Sequence, residues 1–223
     1  AGSEFTVLES ITAVGGQMLT LRGLGGVYDE VFLPLHGAHQ AGNAALALAA
    51  VEAFFGAGAQ RQLDIEAVRE GFASVAVPGR LERLRSAPTV FVDAAHNPHG
   101  AMALAQALVE EFDFRRVIGV VGVLGDKDAR GLLEALEPVF DMVVLTNNGS
   151  PRALDTATLS DYAVEIFGEE RVEVKPFLPD AVEAAIALAE EVDGEPVSGA
   201  GVVITGSVVT AGAARTLFGK EPR

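Results

Sequence analysis

The chain has 223 residues, of which 49% are hydrophobic, enough for a sizeable buried core. Acidic residues outnumber Lys and Arg by 31 to 16, and this argues against a nucleic-acid partner because a phosphate backbone binds a basic surface. No apolar run approaches the ~20 residues that cross a bilayer. The absence of cysteine excludes disulfides and thiolate metal sites. We therefore expect a cytoplasmic globular protein that binds neither nucleic acid nor a membrane.

The first part of the chain predicts a β-hairpin followed by a further strand. Residues 1–5, AGSEF, are typical of a vector-derived remnant, and we expect them outside the fold. Apolar and polar residues alternate over 6–14 and 17–24 on either side of a Gly-Gly pair, which is typical of a hairpin. Residues 28–35 predict a third strand. Such a start, with no helix to cover it, resembles the last strands of a sheet that begins earlier.

A long Ala-rich helix is predicted over residues 37–56. Its larger apolar residues share one face: Leu46, Ala50, Val51, Phe54 and Phe55. Near its start, His39 and Asn43 are four residues apart and share a face, so they could present hydrogen-bonding groups to a ligand. A polar helix start without a ligand explains the same two residues.

A sharp Val-Pro-Gly-Arg turn at 77–80 follows a second short helix and indicates a domain boundary. We predict a domain at 6–77, a linker at 78–81 and a second domain at 82–223. Arg80 directly follows the Pro-Gly pair and could reach into a cleft between the domains. Solvation of an arginine in a linker is the alternative.

Beyond the linker, strands and helices alternate with short connections. We predict strands over residues 90–93, 117–124, 142–146, 172–174 and 201–205. Helices are predicted over residues 101–111, 129–136, 158–167, 179–191 and 209–217, with a loop at 193–196. This alternation predicts an α/β domain with a mostly parallel sheet and helices on both of its faces.

Polar or Gly-rich turns follow four of these strands, at residues 93–99, 125–128, 146–152 and 205–207. Because the carboxyl ends of parallel strands meet at one edge, the turns should converge on one crevice. Lys127 would anchor a carboxylate or phosphate there, with Asp126 and Asp128 as neighbours. An exposed lysine in an acidic turn is the alternative.

The turn after the first of these strands carries the densest set of polar groups. Asp93, His96 and Asn97 lie together where a ligand of a parallel sheet would bind. Helix capping by Asp93 and Asn97, with His96 as a surface side chain, is the alternative, since helix N-termini favour these residue types.

Five stretches carry a family resemblance: LHGAHQAGNAALA at 35–47, PGRLE at 78–82, DAAHNPHG at 93–100, LGDKD at 124–128 and TGS at 205–207. In this order and approximate spacing they resemble the folylpolyglutamate synthases of the Mur ligase superfamily, which are sometimes bifunctional with dihydrofolate synthase activity. The similarity runs from about residue 28 to 215. The D-x-A-H-N-P form separates this family from most peptidoglycan Mur ligases, and Ala94 stands where Gly is commoner.

The resemblance implies a Rossmann-like C-terminal domain, preceded by the β-hairpin and helix tail of a P-loop ATPase domain. It also implies an ATP-dependent amide ligase. In such enzymes ATP phosphorylates the terminal glutamate carboxyl of a folate, and the amino group of L-glutamate attacks the acyl phosphate. The implied substrates are tetrahydrofolate or folylpolyglutamate and L-glutamate, and the implied cofactors are ATP and Mg²⁺.

The resemblance also assigns residues to ATP. Asn43 would face the adenine, and Arg80 would reach the phosphates from the linker. Asp93 and His96 would lie at the ribose and phosphate region.

Other residues would serve the incoming glutamate. Lys127 and Ser207 would hold its carboxylates, with Arg152 as a further candidate. Lys127 and His96 are the residues that we expect to act in catalysis, and we expect no metal ligands among these positions.

The family's P-loop, G-x-x-x-x-G-K-[ST], is absent from this sequence, whose only Gly-Lys pair is Gly219-Lys220. The Mg²⁺ ligands and the main folate surface of the family also lie upstream of the matched motifs. We therefore expect the C-terminal portion of an enzyme, with the N-terminal half of the same enzyme as its partner. On its own, this portion should not turn over.

Two other functions fit the sequence. The chain could be an isolated, non-catalytic module that binds a nucleotide or another anion. It could also be a metal-dependent hydrolase that uses Asp93, His96 and His99, although ligation from one tight turn would be strained.

Overall fold

The computed structural model of the chain describes residues 4–56, 61–190 and 199–220. The chain divides into two units, residues 1–77 and residues 78–223, which we call unit 1 and unit 2. None of the described helices is long and apolar enough to cross a membrane.

Unit 1 is a three-stranded antiparallel sheet with two helices. Its elements are β1 (Thr6–Ala13), β2 (Gly16–Arg22), β3 (Val27–Leu33), α1 (Ala38–Phe54) and α2 (Ile65–Ala73). The β1–β2 turn contains Gly15 at φ 83°, a backbone conformation that glycine adopts without steric cost. Leu21, Tyr28 and Val31 are fully buried in the core beside α1.

Helix α1 buries mainly alanines and exposes most of its large apolar residues. Ala44, Ala45 and Leu48 pack in the core of unit 1, whereas Leu46 is 57% exposed and Phe54 is 84% exposed. The face that carries the larger apolar residues is therefore not the face that packs on the sheet. Alanines let the helix backbone approach the sheet closely, which periodicity of large residues does not reveal.

The start of unit 1 also differs from the prediction. Phe5 is partly buried against the core, so the expectation that residues 1–5 stand outside the fold is wrong at this position. Residues 1–3 lie outside the described part of the chain.

Unit 2 contains the remaining elements. They are β4 (Glu82–Ser86), β5 (Thr89–Val92), α3 (Pro98–Glu111), β6 (Arg116–Val121), α4 (Ala129–Leu136), β7 (Met142–Asn147), α5 (Thr156–Phe167), a short 3-10 helix (Glu169–Arg171), β8 (Val172–Phe177), α6 (Leu178–Glu190), β9 (Ala200–Thr205) and α7 (Val208–Leu217). The predicted loop at 193–196 lies outside the described residues, as does residue 191, the last of the predicted helix at 179–191.

The strands of unit 2 form one sheet in the order β4-β5-β9-β6-β7-β8. All neighbouring pairs are parallel except β4 with β5. Buried residues of α3, α4 and α5 pack on one face, and those of α6 and α7 pack on the other. The prediction of an α/β fold with a mostly parallel sheet is confirmed.

Strand β4 was not predicted. It pairs with β5 at the edge of the sheet and carries Arg83 and Arg85, so its composition hides the strand. An edge strand tolerates charged residues because one side of it is solvated. Strand β8 is also longer than predicted, since Lys175 and Pro176 fall within it.

Candidate functional site

The polar turns of unit 2 lie at the carboxyl ends of β5, β9, β6 and β7, which are consecutive neighbours in the sheet. This edge is where open parallel sheets bind ligands. The turns form local clusters around Asp93, Lys127 and Ser207.

The carboxylate of Asp93 fastens the linker to the end of β5. Its Oδ2 accepts a hydrogen bond from the backbone N–H of Leu81 at 2.9 Å, and its Oδ1 accepts one from Ala95 at 2.8 Å. The N–H of Ala94 donates to the carbonyl of Gly79 at 2.8 Å. Leu81 has φ 43°, a strained value for leucine, and Asp93 helps to hold it there. Asp93 therefore does not cap α3.

Arg80 is exposed in the middle of this anchored turn. On the next strand, Glu82 Oε2 accepts from the N–H of Gly79 at 2.9 Å and from Arg215 Nε at 2.8 Å. The backbone on both sides of Arg80 is thus fixed while its side chain faces solvent. Glu82 is a contributor that sequence reasoning missed, although it belongs to the PGRLE motif.

The imidazole of His96 is partly buried and oriented by its own turn. Its Nδ1 lies 3.0 Å from the carbonyl oxygen of Ala94. Because a carbonyl can only accept, Nδ1 carries the proton, and Nε2 of the neutral ring is then a hydrogen-bond acceptor. Asn97 caps α3 by accepting from Gly100 N at 2.8 Å, and Pro98 occupies the first helical turn. The capping alternative is thus right for Asn97.

The turn after β6 and the turn after β7 bring two cations to one carboxylate. Arg152 Nη2 lies 2.8 Å from Asp126 Oδ1, and Lys127 Nζ lies 3.4 Å from Asp126 Oδ2. Partial burial raises the pKa of Asp126, but the hydrogen bonds from Arg152 and Lys127 outweigh it and hold the pKa below its usual range. We call Asp126, Lys127 and Arg152 the cation cluster.

Backbone hydrogen bonds join the two turns of the cation cluster. Gly125 N donates to the carbonyl of Arg152 at 2.8 Å, and Leu154 N donates to the carbonyl of Val123 at 2.9 Å. Lys127 N donates to the carbonyl of Leu124 at 3.1 Å. The cations therefore project from a backbone that is already fixed.

Asp128 does not join the cation cluster. It is the N-cap of α4 and accepts from Gly131 N at 2.9 Å. The first turn of α4 packs against Pro98 so closely that a Cβ at Gly131 would overlap the proline ring. The first turns of α3 and α4 are therefore in contact.

Ser207 lies in a buried hydrogen-bond network with Asn148 and Thr210, which joins three turns. Asn148 Nδ2 donates to Ser207 Oγ and to Thr210 Oγ1, both at 3.1 Å. Thr210 Oγ1 donates to the carbonyl of Gly122 at 2.6 Å, so Ser207 is the donor in its own 2.8 Å contact with Thr210. Ser207 is 1% exposed and is also the N-cap of α7. Its contact with glutamate stays a prediction, and this geometry gives its hydroxyl a structural role.

Sequence reasoning missed Asn148 and Thr210. Thr210 stands three residues after Ser207, a spacing typical of a capping pair, and Asn148 belongs to an Asn-Asn pair directly after β7. Nothing in the sequence indicates that these side chains, 62 positions apart, share hydrogen bonds.

Asn43 lies in unit 1, near the start of α1. It is exposed, and its Nδ2 donates to Gln40 Oε1 at 3.1 Å. The buried side chain of Gln17 donates to the carbonyls of Leu35 at 2.9 Å and Gly37 at 3.0 Å, which fixes the loop before the helix. Asn43 therefore projects from a well-anchored helix start.

A cavity of about 500 Å³ lies at the carboxyl ends of β7 and β8. Its lining is uncharged and includes Asn148, Phe177 and Leu178. It therefore offers no cation for a carboxylate.

The geometry gives no support to the metal-dependent alternative. In the described part of the chain, no group of three His, Cys, Asp or Glu side chains could hold a metal ion. Both oxygens of Asp93 already accept backbone hydrogen bonds.

Comparison with known families shows to which family the chain belongs. The family model of the Mur ligase glutamate ligase domain matches residues 79–208, which is most of unit 2. The chain belongs to this Mur ligase family. The resemblance that the sequence motifs indicate is thereby confirmed, and unit 2 is a glutamate ligase domain.

Relatives and solved structures point to one branch of the family. A dihydrofolate synthase/folylpolyglutamate synthase from Mycobacterium tuberculosis is 64% identical over 227 residues, which cover 99% of this chain and 47% of that protein. A folylpolyglutamate synthase from Lacticaseibacillus casei is 31% identical over 97% of this chain. The chain spans about half the length of each, 47% in both cases.

The same likeness holds in three dimensions. The structure of M. tuberculosis folylpolyglutamate synthase complexed with ADP and AMPPCP matches with a TM-score of 0.95 and 63% identity, covering 100% of this chain and 49% of that chain. The Mur ligase glutamate ligase domain described here therefore shares its fold with a protein that binds adenine nucleotides.

Proposed function

We propose that the chain is part of an ATP-dependent ligase that adds L-glutamate to the γ-carboxyl of tetrahydrofolate or of a folylpolyglutamate. ATP would transfer its γ-phosphoryl group to that carboxyl and leave as ADP, and the glutamate amine would then attack the acyl carbon, form the amide and release inorganic phosphate and a proton. The observation that carries the proposal is the cation cluster. It places Lys127 and Arg152 on one carboxylate at the ligand-binding edge of a glutamate ligase domain.

The cation cluster suits an amino acid with two carboxylates. Arginine binds a carboxylate through two parallel hydrogen bonds, and lysine adds a compact positive charge. Lys127 would also stabilise the negative charge that develops on the tetrahedral intermediate, which is the role assigned to it in catalysis. Ser207 would support the glutamate site by holding the surrounding turns in place, since its hydroxyl is hydrogen-bonded to Asn148 and Thr210.

Four residues are proposed for ATP. Asn43 would contact the adenine and Arg80 the phosphates; both side chains are exposed on anchored backbone. Asp93 and His96 would lie at the ribose and phosphate region of ATP. His96 would accept a hydrogen bond there through Nε2 and take part in catalysis. Asp93 would act mainly by fixing the turn that carries Arg80, since both of its oxygens bind backbone N–H groups.

The remaining parts of the proposal concern groups outside the described residues. An N-terminal half would supply the P-loop, the Mg²⁺ ligands and most of the folate surface. The described residues contain no acidic cluster for Mg²⁺, so we derive no step through the metal from this chain. We place the enzyme in the cytoplasm, in keeping with its lack of cysteine.

ADP release tests the proposed function. The chain is joined to the preceding half of the M. tuberculosis relative and assayed with ATP, tetrahydrofolate and L-glutamate. We expect ADP release that requires both substrates, product mass that increases by one glutamate, and no turnover by the 223-residue chain alone. His96→Ala or Lys127→Ala should lower kcat/KM by at least about 100-fold, the usual scale for a lost charge-stabilising or proton-accepting group.

Lys175→Ala is the matched control, because Lys175 pairs with Glu173 on β8. It should leave kcat/KM unchanged. A joined protein that binds ADP but never consumes ATP would favour the non-catalytic module and contradict the ligase.

A further inference from the structure

We propose that Asp126 is a positioning residue, which holds Lys127 and Arg152 ready to receive a carboxylate of the incoming amino acid. The inference rests on the proposed function, because it concerns the same cation cluster. The new element is the role of Asp126, an acidic residue beside a site for an acidic substrate.

Asp126 contacts both cations through different oxygens. Oδ1 accepts from Arg152 Nη2 at 2.8 Å, and Oδ2 lies 3.4 Å from Lys127 Nζ. Two cations that contact the same carboxylate repel each other, and the negative charge of that carboxylate offsets the repulsion. Asp126 thus stabilises an arrangement that Lys127 and Arg152 would not adopt by themselves.

The backbone around the cation cluster is fixed, so only the side chains of Lys127 and Arg152 are free to move. The hydrogen bonds from Gly125 to Arg152 and from Leu154 to Val123 fix the two turns against each other. Lys and Arg have the most rotamer freedom of all side chains, and ordering them opposes ligand binding. A short aspartate on the same turn as Lys127 orders both before the ligand arrives.

Both cations keep hydrogen-bond donors for a ligand. Arginine has five N–H donors and lysine has three, and Asp126 engages one group of each. The side chain of Arg152 is 66% exposed and that of Lys127 is 34% exposed. A substrate carboxylate can therefore bind on the solvent side while Asp126 keeps its place.

The effect of charge alone would be the opposite. Removing a negative charge beside an anion site should strengthen glutamate binding if charge alone matters. Asp126 is half-exposed, however, so water and salt screen its repulsion of the ligand. The ordering of two long side chains is worth more, on the order of tenfold in affinity.

The test is the KM for L-glutamate of the joined protein carrying Asp126→Asn. We expect KM to rise about tenfold and kcat to fall by a smaller factor, because both cations bind the ligand whereas only Lys127 also acts in catalysis. Asp126→Glu should restore part of the affinity. In an Arg152→Ala background, Asp126→Asn should raise KM by a smaller factor than it does alone, since the part of its effect that passes through Arg152 is already lost.

Asp161→Asn is the matched control, because it makes the same charge change at an exposed position of α5. It should leave KM unchanged. A KM that falls or stays constant in Asp126→Asn overturns the positioning role. If the unmutated joined protein shows no glutamate-dependent ADP release, the proposed function itself fails, and the two failures are thus distinguishable.

Discussion

Glu52 and Tyr28 form a buried hydrogen-bonded pair in unit 1. Both side chains are 0% exposed, and the Tyr28 hydroxyl donates to Glu52 Oε1 at 2.7 Å while it accepts from Leu63 N at 3.0 Å. Glu52 also accepts from the N–H of Gly25 at 2.9 Å. Burial, followed by the hydrogen bond to Glu52, raises the pKa of Tyr28 to about 12.

Tyr28→Phe should therefore destabilise unit 1 by about 1–3 kcal/mol at neutral pH, because it leaves buried partners unpaired. The unmutated protein should also lose stability between pH 10 and about 12. In that range the unfolded phenol releases its proton, whereas the folded one, with its raised pKa, retains it. Tyr28→Phe should lack this loss. Hydrogen exchange of β2 and β3 peptides across a urea series measures both effects.

Tyr162→Phe provides the control, since Tyr162 is the only other tyrosine of the chain. It should keep the alkaline loss of unit 1 stability. An equal alkaline loss in Tyr28→Phe and the unmutated protein would show that another group titrates.

At the scale of elements, strand β6 and the segment after α4 meet at a glycine. Gly119 lies in the middle of β6, and a Cβ there would overlap the ring of Phe140, which is 1% exposed. The ring fills the space that the missing side chain leaves. This contact holds α4 close to the sheet.

Gly119→Ala should destabilise unit 2 by about 1–3 kcal/mol, the usual cost of overpacking a core. Phe140→Leu in the same chain should recover part of the loss by removing the overlap. Gly212→Ala in α7 is the control. Apart from the nearby backbone of α7 itself, no heavy atom lies within 4 Å of the added Cβ, so the change should be neutral or stabilise by up to about 1 kcal/mol. Urea unfolding followed by hydrogen exchange of β6 peptides measures the stability of each variant. If Gly119→Ala were as stable as the unmutated protein, the close contact between Gly119 and Phe140 would be contradicted.

The order of elements in unit 2 could be predicted, because β-branched runs such as Val117–Val121 alternate with helical patterns. The pairing of β9 between β5 and β6 could not, since it depends on where α6 crosses the sheet. The hydrogen-bond network of Asn148, Ser207 and Thr210 depends on this pairing, and it could not be predicted from the sequence for the same reason. Strand β4 was hidden by its arginines.

The candidate site shows the same division. Lys127 and Arg152 could be assigned to one sheet edge from the turns that carry them, because parallel strands end together. That Asp126 lies between them, whereas Asp128 caps α4, is decided by the local turn geometry. Sequence alone does not distinguish these two acidic neighbours of Lys127.

At the scale of the whole molecule, the chain spans 47% of its M. tuberculosis relative. The proposed glutamate residues all belong to unit 2, and Asn43 belongs to unit 1. A glutamate carboxylate and an ATP phosphate are both anions, and a lysine binds either. The substrate whose affinity depends on the cation cluster therefore shows which of these anions Lys127 binds.

The most direct measurement is the KM of the joined protein for each of its three substrates, with and without Lys127→Ala. We predict that KM for L-glutamate rises at least about tenfold, whatever the change in kcat, because a charged hydrogen bond to a carboxylate is lost. KM for ATP and for tetrahydrofolate should change by less than about twofold. A rise confined to the KM for ATP would contradict the assignment of Lys127 to glutamate and would show that the cation cluster binds phosphate.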